Sequence, residues 1–259
     1  MNARIFVLIF LISVLVITVE QISASTEPIL ITHSTGIHNV IFDGKWTNEI
    51  EWKQSSHNMF SYDDRTIIHL RTAHHEDFIY VFVDPITDQT LDNNKDETTV
   101  CIDGNNNKNN IPDKDDFCFQ VSLNQKQGMI LQGSDDGVFK TITNEKFIAI
   151  STVSDENDRY TKIPHPSYEF KIPIELFGRS DNYGFYLKVY DDSSETSYLW
   201  PKNSTLENFE ISSPSQWGDI VSPDKSLPEM NLPILIFTIL ILTIIFIQAK
   251  KSIIFSKHP

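Results

Sequence analysis

The densest set of metal-type ligands in the chain lies between residues 103 and 116. The segment reads Asp103-Gly104-Asn105-Asn106-Asn107 and then Asp113-Lys114-Asp115-Asp116. Asp103, Asn105 and Asn107 alternate, so a curled loop turns their side-chain oxygens toward one centre. Asp113, Asp115 and Asp116 supply further carboxylates within a short reach. Ca²⁺ takes about six to eight oxygen ligands from carboxylates, amide carbonyls and backbone. The spacing is not that of an EF-hand loop, because the twelfth position counted from Asp103 is Lys114, where a bidentate Glu belongs. The expectation is a structural Ca²⁺ held by Asp103, Asn105, Asn107, Asp113, Asp115 and Asp116. A solvated loop rich in Asn, Asp and Gly uses the same residues without a metal.

Other groups suggest other chemistries. His74-His75-Glu76-Asp77 carries transition-metal donors, but adjacent side chains on a strand point to opposite faces, so the segment reads as a polar turn. Trp46, Trp52, Trp200 and Trp217 offer flat rings of the kind that stack on sugars. Trp52 lies early in a strand-like run and is assigned to the core. Trp200 and Trp217 flank a polar loop and are the candidate ligand-binding pair. Haem needs axial residues such as Met with His or Lys, and Met59 with nearby His57 and His69, or Met129, are the ectodomain residues that offer them. Catalysis has no visible constellation: there is no Gly-x-Ser-x-Gly elbow, no His-Glu-x-x-His and no phosphate-cradling Gly loop. A non-enzymatic protein is expected. Asn203-Ser204-Thr205 is an N-glycosylation acceptor sequence.

The elements around these residues are short and β-rich. Residues 66–70, 78–83, 98–102, 117–123, 129–132, 147–153, 168–174 and 183–190 read as strands. They are separated by turn chemistry such as Asp135-Asp136-Gly137 and Asp181-Asn182. Residues 78–83 are apolar at every position, as in a central strand covered on both sides. No long segment of helical period interrupts them, which argues a sandwich or barrel. Cys101 and Cys118 flank the acidic loop. In an oxidising exterior such a pair reads as a disulfide.

Both ends are apolar. One Arg precedes the run at 5–19, and Ser23, Ala24 and Ser25 follow it, the layout of a cleavable secretory signal over residues 1–25. Residues 232–249 read as one transmembrane helix after a short stalk at 225–231. The tail at 250–259, with Lys250, Lys251 and Lys257, then lies on the cytoplasmic side. The ectodomain at 26–224 is one domain facing out. The chain carries a formal charge of -14, and because its tail is basic the ectodomain is more acidic still. Nucleic acid is therefore excluded as a partner.

Several segments together resemble the family 9 carbohydrate-binding module and the related DOMON-like sandwiches. Ile41-Phe42-Asp43-Gly44-Lys45-Trp46, with Glu51-Trp52 after it, resembles their opening Asp-Gly turn and downstream Trp. The run at 78–83, Tyr168-Glu169-Phe170-Lys171-Ile172-Pro173, the run at 184–192, Trp200-Pro201 and Trp217-Gly218-Asp219 resemble later strands in the same order. The resemblance covers residues 40–220. It implies an all-β, antiparallel β-sandwich that binds a ligand without catalysis, such as a glycan of the envelope or matrix, and that often carries structural calcium. The DOMON-like relatives leave an outward-facing haem-binding electron-transfer domain open as the alternative, and a purely structural surface protein is a third. Leu227-Pro228-Glu229-Met230 before the apolar run is similar to the Pro-Glu-Phe-type sorting tails of archaeal surface proteins, although the Phe and Gly of that pattern are absent.

Overall fold

A computed structural model describes residues 27–206 and 211–223. The signal segment, stalk, membrane span and basic tail expected from the sequence lie outside those residues. Among the described residues no helix is long and apolar enough to cross a membrane.

Alternation of apolar residues with period two builds two facing sheets. The larger has eight strands: β1 (Ile29–Leu30), β6 (Glu97–Asp103), β7 (Asp116–Ser122), β8 (Met129–Gln132), β9 (Lys140–Ile142), β12 (Asn182–Asp191), β13 (Thr196–Trp200) and β14 (Gly218–Val221). Their order is β1-β14-β12-β6-β7-β8-β9. β13 and β14 share one edge of β12, which pairs with β14 along residues 182–185 and with β13 along 187–191. The smaller sheet has six strands: β2 (Thr32–His33), β3 (Ser56–Ser61), β4 (Ile67–His75), β5 (Phe78–Asp84), β10 (Ile148–Val153) and β11 (Pro166–Pro173). Its order is β10-β11-β5-β4-β2, with β3 beside β2 on the same edge of β4.

The body of both sheets is antiparallel, as expected. Two pairs are parallel, β1 with β14 and β2 with β4. One short N-terminal stretch makes both. It closes the edge of the large sheet, crosses the sandwich, and closes the edge of the small one, which covers backbone that would otherwise invite pairing with another chain.

Between the sheets, Val100, Ile102, Phe117, Phe119, Phe185 and Leu187 face Ile68, Leu70, Val81, Val83, Phe170 and Ile172 in one continuous core. The outer faces are apolar too. Trp46, Trp52, Ala73, Tyr80 and Phe82 form a second cluster outside the six-stranded sheet. Cys101, Cys118, Tyr186, Leu199, Ile211 and Trp217 form a third outside the eight-stranded one. That double covering is why residues 78–83 lack alternation. Cys101 and Cys118 sit directly opposite each other on β6 and β7 and are joined as a disulfide.

β4 continues to His75, so the expected strand at 66–70 is too short and the turn is only Glu76 and Asp77. Glu76 takes the left-handed backbone there, at φ 51. His74 and His75 are strand residues in register with Ile79 and Phe78.

Candidate functional site

The segment from 35 to 55 lies over the outer face of the six-stranded sheet, and buried carboxylates hold it down. Glu169, on β11, is fully buried. Its Oε2 accepts the backbone N–H groups of Asp43 (3.0 Å) and Gly44 (2.8 Å), and its Oε1 accepts Trp52 Nε1 (2.9 Å). Burial pushes the Glu169 carboxyl well above its ordinary range. Glu51 does the same within the segment, accepting Ile41 N and Thr47 N at 2.7 Å each. Trp52 stacks on Phe82 at 5.4 Å between centroids, and Trp46 meets the same ring edge-on. The Asp-Gly turn and its two tryptophans are therefore an anchor.

Where this segment stops covering the sheet, a cleft of about 520 Å³ opens. Phe78 and Tyr80 alternate onto the outer face of β5 and form its floor. Val40 and Phe42 form one wall, and His38, His75, Glu76 and Lys171 stand around the rim. Phe42 is stacked on Tyr80 at 6.1 Å, and Lys171 Nζ lies 4.1 Å from the centre of the Phe78 ring. Phe42 and Phe78 are half-buried, so part of each side chain stays open in the cleft. Apolar ring faces bordered by a carboxylate, an ammonium and two imidazoles suit a ligand with both C–H faces and hydroxyls.

The acidic loop does not curl as its alternation implied. Asn106 and Lys108 take left-handed backbone, at φ 52 and 53, which breaks the alternation. Asp103 is buried, and its two oxygens accept Asn107 N (3.3 Å) and Lys108 N (3.1 Å). Asn105 and Asn107 are exposed, and Asn107 Nδ2 turns to Asp113 Oδ2 at 3.2 Å. Asp113, Asp115 and Asp116 do come together. Asp116 Oδ2 accepts Asp113 N at 2.8 Å, and Asp113 Oδ1 accepts Asp115 N at 3.1 Å. Burial raises Asp115 to about 6 and Asp116 to about 8, with the neighbouring carboxylates adding to both shifts.

Trp200 and Trp217 are corrections. Trp200 is 5% exposed and packs against Phe60 and Phe185 between the sheets. Trp217 is 4% exposed, stacks on Tyr186 and donates Nε1–H to Ser212 O at 2.9 Å. Neither ring has a free face for a sugar. His57 Nε2 and His69 Nδ1 are hydrogen-bonded to each other at 2.8 Å, and Tyr160 stacks on His69 at 3.7 Å. Met59 is exposed beside them on β3, while Met129 belongs to the other sheet. Asn203 is exposed after β13.

No family model matches the sequence, and no curated protein matches it. Solved structures do. A family 9 carbohydrate-binding module from Caldicellulosiruptor kristjanssonii in complex with glucose aligns with a TM-score of 0.50 and 14% identity, over 76% of this chain and 95% of that one. A module of the same family and organism in complex with cellotriose aligns at 0.49 and 15% identity, over 78% and 98%. The sandwich is similar in fold to family 9 carbohydrate-binding modules.

A shared fold does not place a ligand. The cleft residues Phe42, Phe78, Tyr80 and Lys171 do belong to segments that carry the sequence resemblance. Reading the sequence singled out none of them as a site. The one available signal was the run of alternate apolar and polar residues at 168–173, which sends Lys171 to the same face as Glu169.

Proposed function

We propose that this chain is a non-catalytic carbohydrate-binding module, displayed outside the cell on a single C-terminal span, that takes a glycan into the cleft between Phe42, Phe78 and Tyr80. The observation that carries the reading is the cleft: half-buried ring faces with Glu76, Lys171, His38 and His75 at hydroxyl-binding positions around them. The similarity to a module that binds glucose supports a saccharide as the ligand class. The apolar runs at 5–19 and 232–249, with lysines beyond the second, support outward display. Exposed Asn203 is the proposed glycosylation site.

A structural Ca²⁺ belongs to the same proposal, moved within the loop. Asp116 Oδ1 is buried with no hydrogen-bond partner, and Asp113 and Asp115 stand beside it. Hard carboxylate oxygens of this kind fit Ca²⁺. Asp103 then shapes the backbone, and the exposed Asn105 and Asn107 are not needed as ligands.

A glycan array probed with the full-length chain in detergent tests the function. Binding confined to one class of saccharide is expected. No binding to neutral or charged glycans overturns the proposal.

A further inference from the structure

A second cluster of ionisable groups lies on the six-stranded sheet, used by neither the cleft nor the acidic loop. Asp84 ends β5, His165 immediately precedes β11, and Asp158 lies in the connection between β10 and β11. Asp84 and His165 are 0% exposed and Asp158 is 7% exposed. One donor atom from each lies within 4.8 Å of the other two. His165 Nε2 is 2.7 Å from Asp84 Oδ1. Its Nδ1 is 2.7 Å from the carbonyl oxygen of Ile163 and 2.8 Å from Ser154 Oγ. A carbonyl oxygen only accepts, so Nδ1 carries a proton and Nε2 is the atom presented to the carboxylates. A backbone carbonyl at one ring nitrogen is how proteins commonly orient an imidazole whose other nitrogen binds a metal.

The leftover oxygens are an independent observation. Asp84 Oδ2 and Asp158 Oδ2 are buried and have no hydrogen-bond partner. Asp158 Oδ1 is satisfied by Tyr160 N (2.8 Å) and Thr161 N (2.9 Å), so its second oxygen is held in place facing the carboxyl of Asp84. Unpaired buried carboxylate oxygens are costly. Two carboxylates outweigh one imidazolium, whereas a divalent cation with a neutral imidazole balances them. The nearby guanidinium of Arg71 is committed to Tyr160 Oη and Ser55 O, and that of Arg159 lies over Trp46.

We propose that Asp84, Asp158 and His165 form a buried divalent-metal site, with one nitrogen and two carboxylate donors of the kind that Zn²⁺ accepts. The metal replaces the proton shared between His165 Nε2 and Asp84. Asp158 also lines a cavity of about 260 Å³ with Trp46, Glu49, Asn157 and Arg159, which offers a route in from solvent. Bound there, the ion ties the end of β5 to the β10–β11 connection.

The test uses the full-length chain in detergent, stripped with chelator and dialysed against buffered Zn²⁺. About one equivalent of zinc is expected, as for a single closed site. It should be lost in Asp158→Asn. It should be kept in a His38→Gln/His75→Gln variant, which breaks up the surface histidines, and in Asp113→Asn. X-ray absorption of the zinc-loaded wild type, which needs no variant to fold, should read a single imidazole with oxygen donors. No bound zinc, zinc retained in Asp158→Asn, or a shell of several imidazoles overturns the proposal.

Discussion

Gly44 shows how one residue holds the candidate site in shape. It sits at φ 89, and a methyl group there would meet Thr152 N at 2.6 Å and the carbonyl carbon of Ser151 at 2.7 Å. Both are backbone atoms of β10, so neither can move aside alone. Gly44→Ala is expected to cost roughly 2–3 kcal/mol, read as a lower Tm, because strain and clash coincide. The Asp-Gly turn was legible in the sequence, and so was the burial of Trp52. The binding surface was not. A polar loop between Trp200 and Trp217 does not say where each indole packs: Trp200 falls between the sheets and Trp217 is buried in the cluster outside the eight-stranded sheet. Phe78 was hidden for the opposite reason: in a run apolar at every position, the residue left half-open depends on where the covering segment 35–55 ends.

The β6–β7 hairpin is an element in which sequence and structure agree closely. β6 and β7 fall within one residue of their expected bounds at either end, because their apolar runs are closed by Asp103 and Asp116. Cys101 and Cys118 are 17 residues apart in sequence, and cross-linking a loop of that size contributes about 3 kcal/mol. Cys101→Ala with Cys118→Ala should lower Tm by roughly 6–12 °C in a thermal melt. The loop between them was read less well, since left-handed residues at 106 and 108 cannot be foreseen from Asn-rich composition. If Ca²⁺ binds at Asp113, Asp115 and Asp116, Tm rises in millimolar Ca²⁺ relative to chelator. A hundredfold excess over Kd corresponds to about 2.7 kcal/mol. Asp113→Ala with Asp115→Ala should abolish that rise. The short strands β1, β2, β3 and β9 were missed as elements, and β13 and β14 were marked only by the resemblance at Trp200-Pro201 and Trp217-Gly218-Asp219, because two to six residues carry too little periodicity to stand out.

At the scale of the whole molecule, an acidic domain buries several carboxyls that would rather be neutral. Burial raises Asp88 to about 6 and Asp116 to about 8. In the unfolded chain both titrate near 3.8, so between about pH 4 and 8 the folded state binds more protons and acidification stabilises it. His69 works the other way. Burial lowers it to about 4, so below its unfolded value of 6.5 acidification destabilises the fold. In chelator, Tm should rise from pH 8 toward pH 6.5, level off where His69 offsets Asp116, and rise again between about pH 6 and 4 as Asp88 joins Asp116, measured by a melt series across pH. The central claim concerns the cleft on the outer face of the six-stranded sheet, and its most direct test is isothermal titration of the full-length chain with a saccharide that it binds on an array. Phe78→Ala is expected to weaken binding about tenfold, equivalent to about 1.4 kcal/mol, while Tm changes little because the ring is half-exposed. Unchanged affinity in both Phe78→Ala and Phe42→Ala would contradict the assignment of the cleft as the glycan site.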